Sequence, residues 1–437
     1  MADSNPIRSA WILLPPTLVL LLGLPLLGVA LAGKPLAQYT EFPPLTRYVE
    51  HASFSWPVFL AMALGVAASI LWVWRTLRIQ RRGGHAAAFG SSNTPALHHS
   101  ITPSAAFPLW GWIGVALGAA AWTLAWTRFP WVTALQRHTF TPLWLAYIIV
   151  VNAWTFRRTG RCLLTARPRA LLALFPLSAG FWWFFEYLNR FSQNWYYTGV
   201  ETFGRGEYAL FATLSFATVL PAVMSTEELL ATFAAWRRAP CGRLRAGSVQ
   251  GTGALGTAAT ERRPPELMGA TGGRIPLEGA APSAPCEQMA QPTPAGDRGV
   301  PGREFGRPLA VLAAASLGLA GLGLWPDYLF PLLWLAPLAV VTSLQALSGR
   351  ATVFAPLRAG DVSRLVRLAL AALICGIFWE MWNYGSLAKW IYAVPFVSRF
   401  HVFEMPLLGY AGYLPFGLEC AALADLVLGA NAREEKP

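Results

Sequence analysis

Glu186 and Asn189, and again Glu380 and Asn383, place a carboxylate and an amide three residues apart in apolar surroundings. On a helix that spacing puts both groups on one face. Glu207 follows Glu186 by 21 residues, and Glu404 follows Glu380 by 24. Trp195, Tyr197, Trp390 and Tyr392 fill the intervals, and Trp379 and Trp382 flank Glu380. Ionisable groups at membrane depth are costly and mark ligand sites, ion paths or proton relays. A carboxyl held among indoles loses hydration, and such a group can serve as a general acid or carry a proton. The indole faces could also hold a cation or carbocation. Glu380, Glu186, Glu404 and Glu207 are therefore the catalytic candidates. Asn383, Asn189, Trp379, Trp382, Trp390, Trp195, Tyr392 and Tyr197 are the binding candidates.

Structural roles compete with each of these. Trp and Tyr gather at membrane interfaces without any catalytic duty. Glu207 and Glu404 are expected in the first turn of a helix, where a carboxylate complements the positive dipole end. Glu186 and Glu380 could pair with Arg190, Lys389 or Arg399. Glu227-Glu228 and Glu419 form a second, weaker acidic set toward the opposite face, and His138 and His401 read as interface histidines. No P-loop, HExxH or GxSxG motif occurs, which argues against nucleotide-driven pumps and common intramembrane hydrolases. The five Cys show no CxxC pairing, so neither a disulfide framework nor a metal site is indicated, and no cofactor is expected.

The elements that must carry these residues are membrane helices. Of the chain, 55% is hydrophobic and only 13% charged, against about 25% charged in soluble domains. The net charge of +12 sits largely in short Arg-rich loops between apolar runs, so it reads as topology signal and lipid-headgroup contact, not as a nucleic-acid surface. The expected fold class is an all-α polytopic bundle of about ten spans: 11–32, 56–74, 107–126, 141–156, 170–188, 208–224, 309–325, 328–347, 365–382 and 403–428. With the N-terminus inside, Arg75–Arg82, Arg157–Arg169, Arg237–Arg245 and Arg350–Arg367 all fall on the cytoplasmic side, as does the C-terminus. The first run also fits a signal peptide ending at Ala30-Leu-Ala32, whose cleavage would leave the other spans unchanged.

Two halves share one plan. Pro142 to Pro331 and Gly160 to Gly349 are each 189 apart; Glu186 to Glu380 and Asn189 to Asn383 are 194 apart; Trp195 to Trp390 is 195. So slow a drift suggests duplication, and four spans per half would make the repeats parallel in the membrane. The organisation expected is two N-terminal helices with a cytoplasmic loop (1–104), a first four-helix repeat (105–238), a linker (239–306) and a second repeat (307–437). The linker is rich in Gly, Pro, Ala and Arg and is expected to be disordered. Pseudo-symmetry would then gather four carboxylates and two amides in one outward layer.

The run from Phe378-Trp-Glu-Met-Trp-Asn383 through Lys389-Trp-Ile-Tyr392 to Phe403-Glu-Met-Pro-Leu-Leu-Gly-Tyr410 and Glu419 resembles a signature of uncharacterised polytopic proteins of bacterial genomes. That resemblance implies a bacterial inner-membrane location. More distantly, the chain resembles the integral-membrane lycopene cyclases, built from repeated helical units with a Trp-rich loop before acidic residues. That resemblance implies a carboxylic acid acting on a polyene, although their Pro-x-Glu-Glu order is reversed here in Glu404-Met-Pro406. The expected partners are membrane lipids and a lipophilic small molecule, with no nucleic acid; the sequence sets no oligomeric state. The function expected is binding of, or action on, an isoprenoid or other lipid. A proton-coupled transporter and a non-catalytic scaffold subunit are the alternatives.

Overall fold

The computed structural model describes residues 6–44, 46–89, 106–233, 236 and 301–434. Among these, eight helices are long and apolar enough to cross a membrane, or nine if the bent pair Pro130–Gln136 and Phe140–Thr159 is one span. The eleven principal helices are α1 (Pro6–Leu31), α2 (Trp56–Phe89), α3 (Leu109–Trp126), α4 (Phe140–Thr159), α5 (Pro168–Ser192), α6 (Arg205–Phe216), α7 (Val219–Ala231), α8 (Pro301–Leu324), α9 (Leu332–Leu347), α10 (Ser363–Gly385) and α11 (Tyr413–Glu434). The shortfall from ten spans arises partly at α9, which has 16 residues and is interrupted by Pro337. Apolar runs without water must satisfy their backbone internally, and the helix does so. Sequence punctuation ends them: Gly160 takes a left-handed conformation after α4, behind Arg157 and Arg158 in its last turn.

The helices form an all-α bundle. α1 packs on α8 and α9, α3 on α4, and α10 on α11, while α7 packs on α4, α5 and α10. The α1–α8 crossing is close because it is made of small residues; a Cβ on Gly28 would stand 1.8 Å from the Ala320 carbonyl oxygen. Leu220, Trp144, Phe185 and Phe416 have no exposure and mark the core.

Two local expectations change. The aromatic intervals, which as sequence read as loops between helices, are strands: β1 (Trp195–Thr198) and β2 (Lys389–Tyr392) pair antiparallel across 191 residues of chain (198 to 389). The run expected as a helix from Phe403 starts instead as a small hairpin, β3 (His401–Val402) with β4 (Met405–Pro406). It continues as a 3-10 turn, Leu407–Gly412, before α11 opens at Tyr413. The span expected over 208–224 lies within one membrane-length run, Arg205–Ala231, which carries a turn at Ala217 and Thr218 between α6 and α7. At the expected linker, residues 301–306 already belong to α8, and the remainder lies outside the described residues.

Candidate functional site

α5 and α10 deliver the two carboxylates, and the ribbon β1–β2 receives them. After α5 the chain turns through Gln193, left-handed at φ 49°, and the β-prone Trp-Tyr-Tyr-Thr segment runs out extended. The register pairs Trp195 with Tyr392 and Tyr197 with Trp390. Directly opposed residues point to one side of an antiparallel pair. All four aromatic side chains therefore share one face of the ribbon.

The amides fix this ribbon. Asn383 Nδ2 donates to the Trp390 carbonyl at 2.8 Å, and its Oδ1 accepts from the Trp390 N–H at 2.9 Å. Asn189 does the same for Trp195, donating to its carbonyl at 2.8 Å and accepting from its N–H at 3.3 Å and from Asn194 N–H at 2.8 Å. The backbone groups at these non-bonded ladder positions face away from the partner strand, and the amides satisfy them. The amides contact the strand backbone and not the carboxylates.

Both carboxylates have 0% exposure. Glu186 Oε1 accepts from Trp182 Nε1 at 3.1 Å, Trp195 Nε1 at 3.2 Å and the Tyr197 hydroxyl at 2.5 Å. Glu380 Oε1 accepts from the hydroxyls of Tyr392 at 2.8 Å and Tyr413 at 2.7 Å. Trp390 Nε1 donates to the Tyr392 oxygen at 2.9 Å. In each carboxylate Oε2 is buried without a partner among the described residues. Burial, reinforced by the neighbouring Glu186 and Glu380 respectively, pushes the Tyr197 and Tyr392 hydroxyls well above the usual phenol range. They are neutral donors at any physiological pH.

Under the ribbon lies a cavity of ≈ 560 Å³. Trp182, Trp195, Trp334, Trp379, Trp390 and Phe140 dominate its wall, with Tyr197, Tyr392 and Tyr413 at the carboxylate side. Neither Glu186 nor Glu380 borders it; the tyrosines stand between. One wall is α2, through Met62, Gly65, Val66 and Ser69, a stripe at i, i+3, i+4 and i+7. Phe54, Trp56 and Phe59 hold its N-terminal end against Phe400 and one another.

The other candidates separate from this site. Glu207 stands in the first turn of α6, as expected, but exposed to solvent. Glu404 is not at a helix start: it lies in the β3–β4 turn and accepts from Lys389 Nζ at 2.5 Å, tying that hairpin to β2. The expected layer of four carboxylates is thus two buried acids, one ion-paired and one solvated. Trp379 borders the cavity, whereas Trp382 packs edge-on against Trp122 and Trp144 at 5.9 and 5.1 Å, off the wall. Glu419 is buried and reaches the interior of α9 just past Pro337, accepting from the Leu338 N–H at 2.9 Å.

Two hydrogen-bonding residues were not among the candidates. Trp182 could have been found from its i, i+4 spacing to Glu186. Tyr413 could not, since it reaches Glu380 across 33 residues of chain. Its ring passes over Gly376 of α10, where a Cβ would meet it at 2.4 Å. No family model, curated protein sequence or solved structure matches this chain.

Proposed function

We propose that this multi-pass membrane protein binds an isoprenoid or other lipid in the aromatic cavity, and that Glu186 and Glu380 handle protons through Tyr197, Tyr392 and Tyr413. One observation carries the reading: a ≈ 560 Å³ apolar cavity whose polar side is made of tyrosines backed by buried carboxylates. That volume falls within the roughly 300–1,000 Å³ of small-molecule sites, and the wall suits a ligand drawn from the bilayer. A phenol contacting the ligand can pass a proton to or from the carboxylate behind it. Glu186 and Glu380 are in this sense positioning and relay residues, and the tyrosines are the contacts.

The same site supports a duplicated origin. If Trp195 corresponds to Trp390 and Tyr197 to Tyr392, the pairing of Trp195 with Tyr392 and Tyr197 with Trp390 is reciprocal, as around a two-fold axis. The axis would pass between Tyr196 and Ile391 and run along the membrane normal. Arg-rich loops on the opposite face support a cytoplasmic location for both termini in a bacterial inner membrane.

A second cavity of ≈ 280 Å³, bordered by Arg167, Glu227, Glu228, Arg364 and Asp425, favours proton-coupled transport as the alternative. Mass spectrometry of lipids retained by the purified protein, together with proton flux in proteoliposomes, separates the two. Retention of a specific lipid that is lost in a Trp334→Ala/Trp379→Ala variant is expected. Proton flux with no retained lipid would sink the binding reading.

A further inference from the structure

The directions of the hydrogen bonds at the ribbon go further than the shape of the cavity. An indole N–H can only donate. Trp182 and Trp195 both donate to Glu186 Oε1, so that oxygen is an acceptor, and the Tyr197 hydroxyl 2.5 Å away must give its only proton to it. Trp390 likewise donates to the Tyr392 oxygen, which directs the Tyr392 proton to Glu380 Oε1. Tyr413 donates to the same oxygen. These three phenols have therefore spent their protons on carboxylates and keep only lone pairs, unlike Tyr208, the fourth tyrosine on the wall. Beside them Asn194, on the wall and 3% exposed, carries an amide oxygen without a partner. Of the donors on the wall, Lys389 is engaged with Glu404 and Arg137 Nη1 with Thr202 at 2.6 Å, whereas Arg137 Nε, the Trp334 and Trp379 indoles and the Tyr208 hydroxyl have no hydrogen-bond partner among the described residues.

Resting on the lipid-binding reading above, we infer that the cavity selects a lipid bearing a hydroxyl group, whose O–H donates to Tyr197 or Tyr413 while its chain lies among the tryptophans. A pure hydrocarbon would leave these acceptors unpaired, and an ether or ester oxygen could be held only by the wall's free donors and not by Tyr197 or Tyr413. A site with buried groups aimed at a ligand hydroxyl discriminates against analogues lacking it far more strongly than an apolar pocket senses a methylene. The phenol that accepts the ligand's hydrogen bond is already bonded to a carboxylate, so the chain of hydrogen bonds runs from ligand to Tyr to Glu.

The test uses two probes with one hydrocarbon chain, farnesol and farnesyl methyl ether, titrated into the purified full-length protein in nanodiscs and followed by quenching of tryptophan fluorescence. Farnesol is expected to bind about tenfold tighter, the value of one additional hydrogen bond. In Tyr197→Phe and Tyr413→Phe, tested singly and together, the ratio of farnesol to ether affinity is expected to fall toward one. Equal affinities in the wild type would place the ligand oxygen against donors such as Trp334, Trp379 or Arg137 and overturn the inference, leaving the lipid-binding reading intact. Binding of neither probe, with no lipid retained on purification, would remove both. The wild-type ratio decides the matter even if a variant fails to fold.

Discussion

Asn383→Leu tests the feature on which the site depends, the amide clamp between α10 and the ribbon. Leu keeps the branched shape and side-chain heavy-atom count of Asn but removes bonds of 2.8 and 2.9 Å to the Trp390 carbonyl and N–H. A buried backbone group left unpaired costs about 1–3 kcal/mol. Two such groups set a range of about 2–6 kcal/mol, and because Trp390 is half-buried, water recovers part of it. A loss of about 2–3 kcal/mol is expected. At roughly 2–4 °C per kcal/mol for domains of 150–250 residues, and less for longer chains, the melting temperature should drop by about 5 °C. The buried thiols of Cys162, Cys375 and Cys420 supply the assay, since a fluorogenic maleimide reaches them only on unfolding. The Cys241→Ala/Cys286→Ala background removes the remaining two thiols. Near-ultraviolet circular dichroism should change as well, because Trp390 and Tyr392 lose their fixed orientation against Glu380. Asn189→Leu should behave alike at Trp195. A melting temperature within 1 °C of the parent, with an unaltered aromatic spectrum, would show that the amide does not hold the strand and would refute the argument.

Gly376→Ala forces the Tyr413 ring off Glu380, because the added methyl would stand 2.4 Å from it. A loss of about 1–3 kcal/mol is expected in the same melting assay, and it should vanish when the substitution is made in a Tyr413→Ala background; a full loss there would place the strain elsewhere. His138, stacked 3.7 Å from the Phe211 ring, is held below the usual histidine range first by burial, with Glu207 opposing and Arg137 adding. Its unfolded form binds protons near pH 6.5 while the folded form resists them, so acidification from pH 7.5 to 5.5 should lower the melting temperature. His138→Phe should flatten that slope, and an identical slope in the variant would rule out His138 as its source.

What the sequence by itself determined is the membrane class, the helix-borne Glu-x-x-Asn pairs and the aromatic intervals after them. These are local: hydrophobic run length, i, i+3 spacing and composition are written in consecutive residues. The repeating offsets also brought Trp195 and Trp390 into one comparison before any contact between them was known. The tertiary structure alone decided that the two intervals are strands of one ribbon, because strand pairing across 191 residues leaves no local trace. It likewise decided that Asn383 grips the backbone and not Glu380, since the Trp390 peptide groups face away from the partner strand and the amide satisfies them. Glu207 and Glu404 illustrate the limit from the other side. Similar positions after similar helices left one in solvent and the other in an ion pair, because α6 begins where Glu207 stands while Glu404 falls in a hairpin before α11. Tyr413 completes the contrast: its place over Gly376 and against Glu380 follows from the packing of two helices, and packing is not encoded in any short stretch of chain.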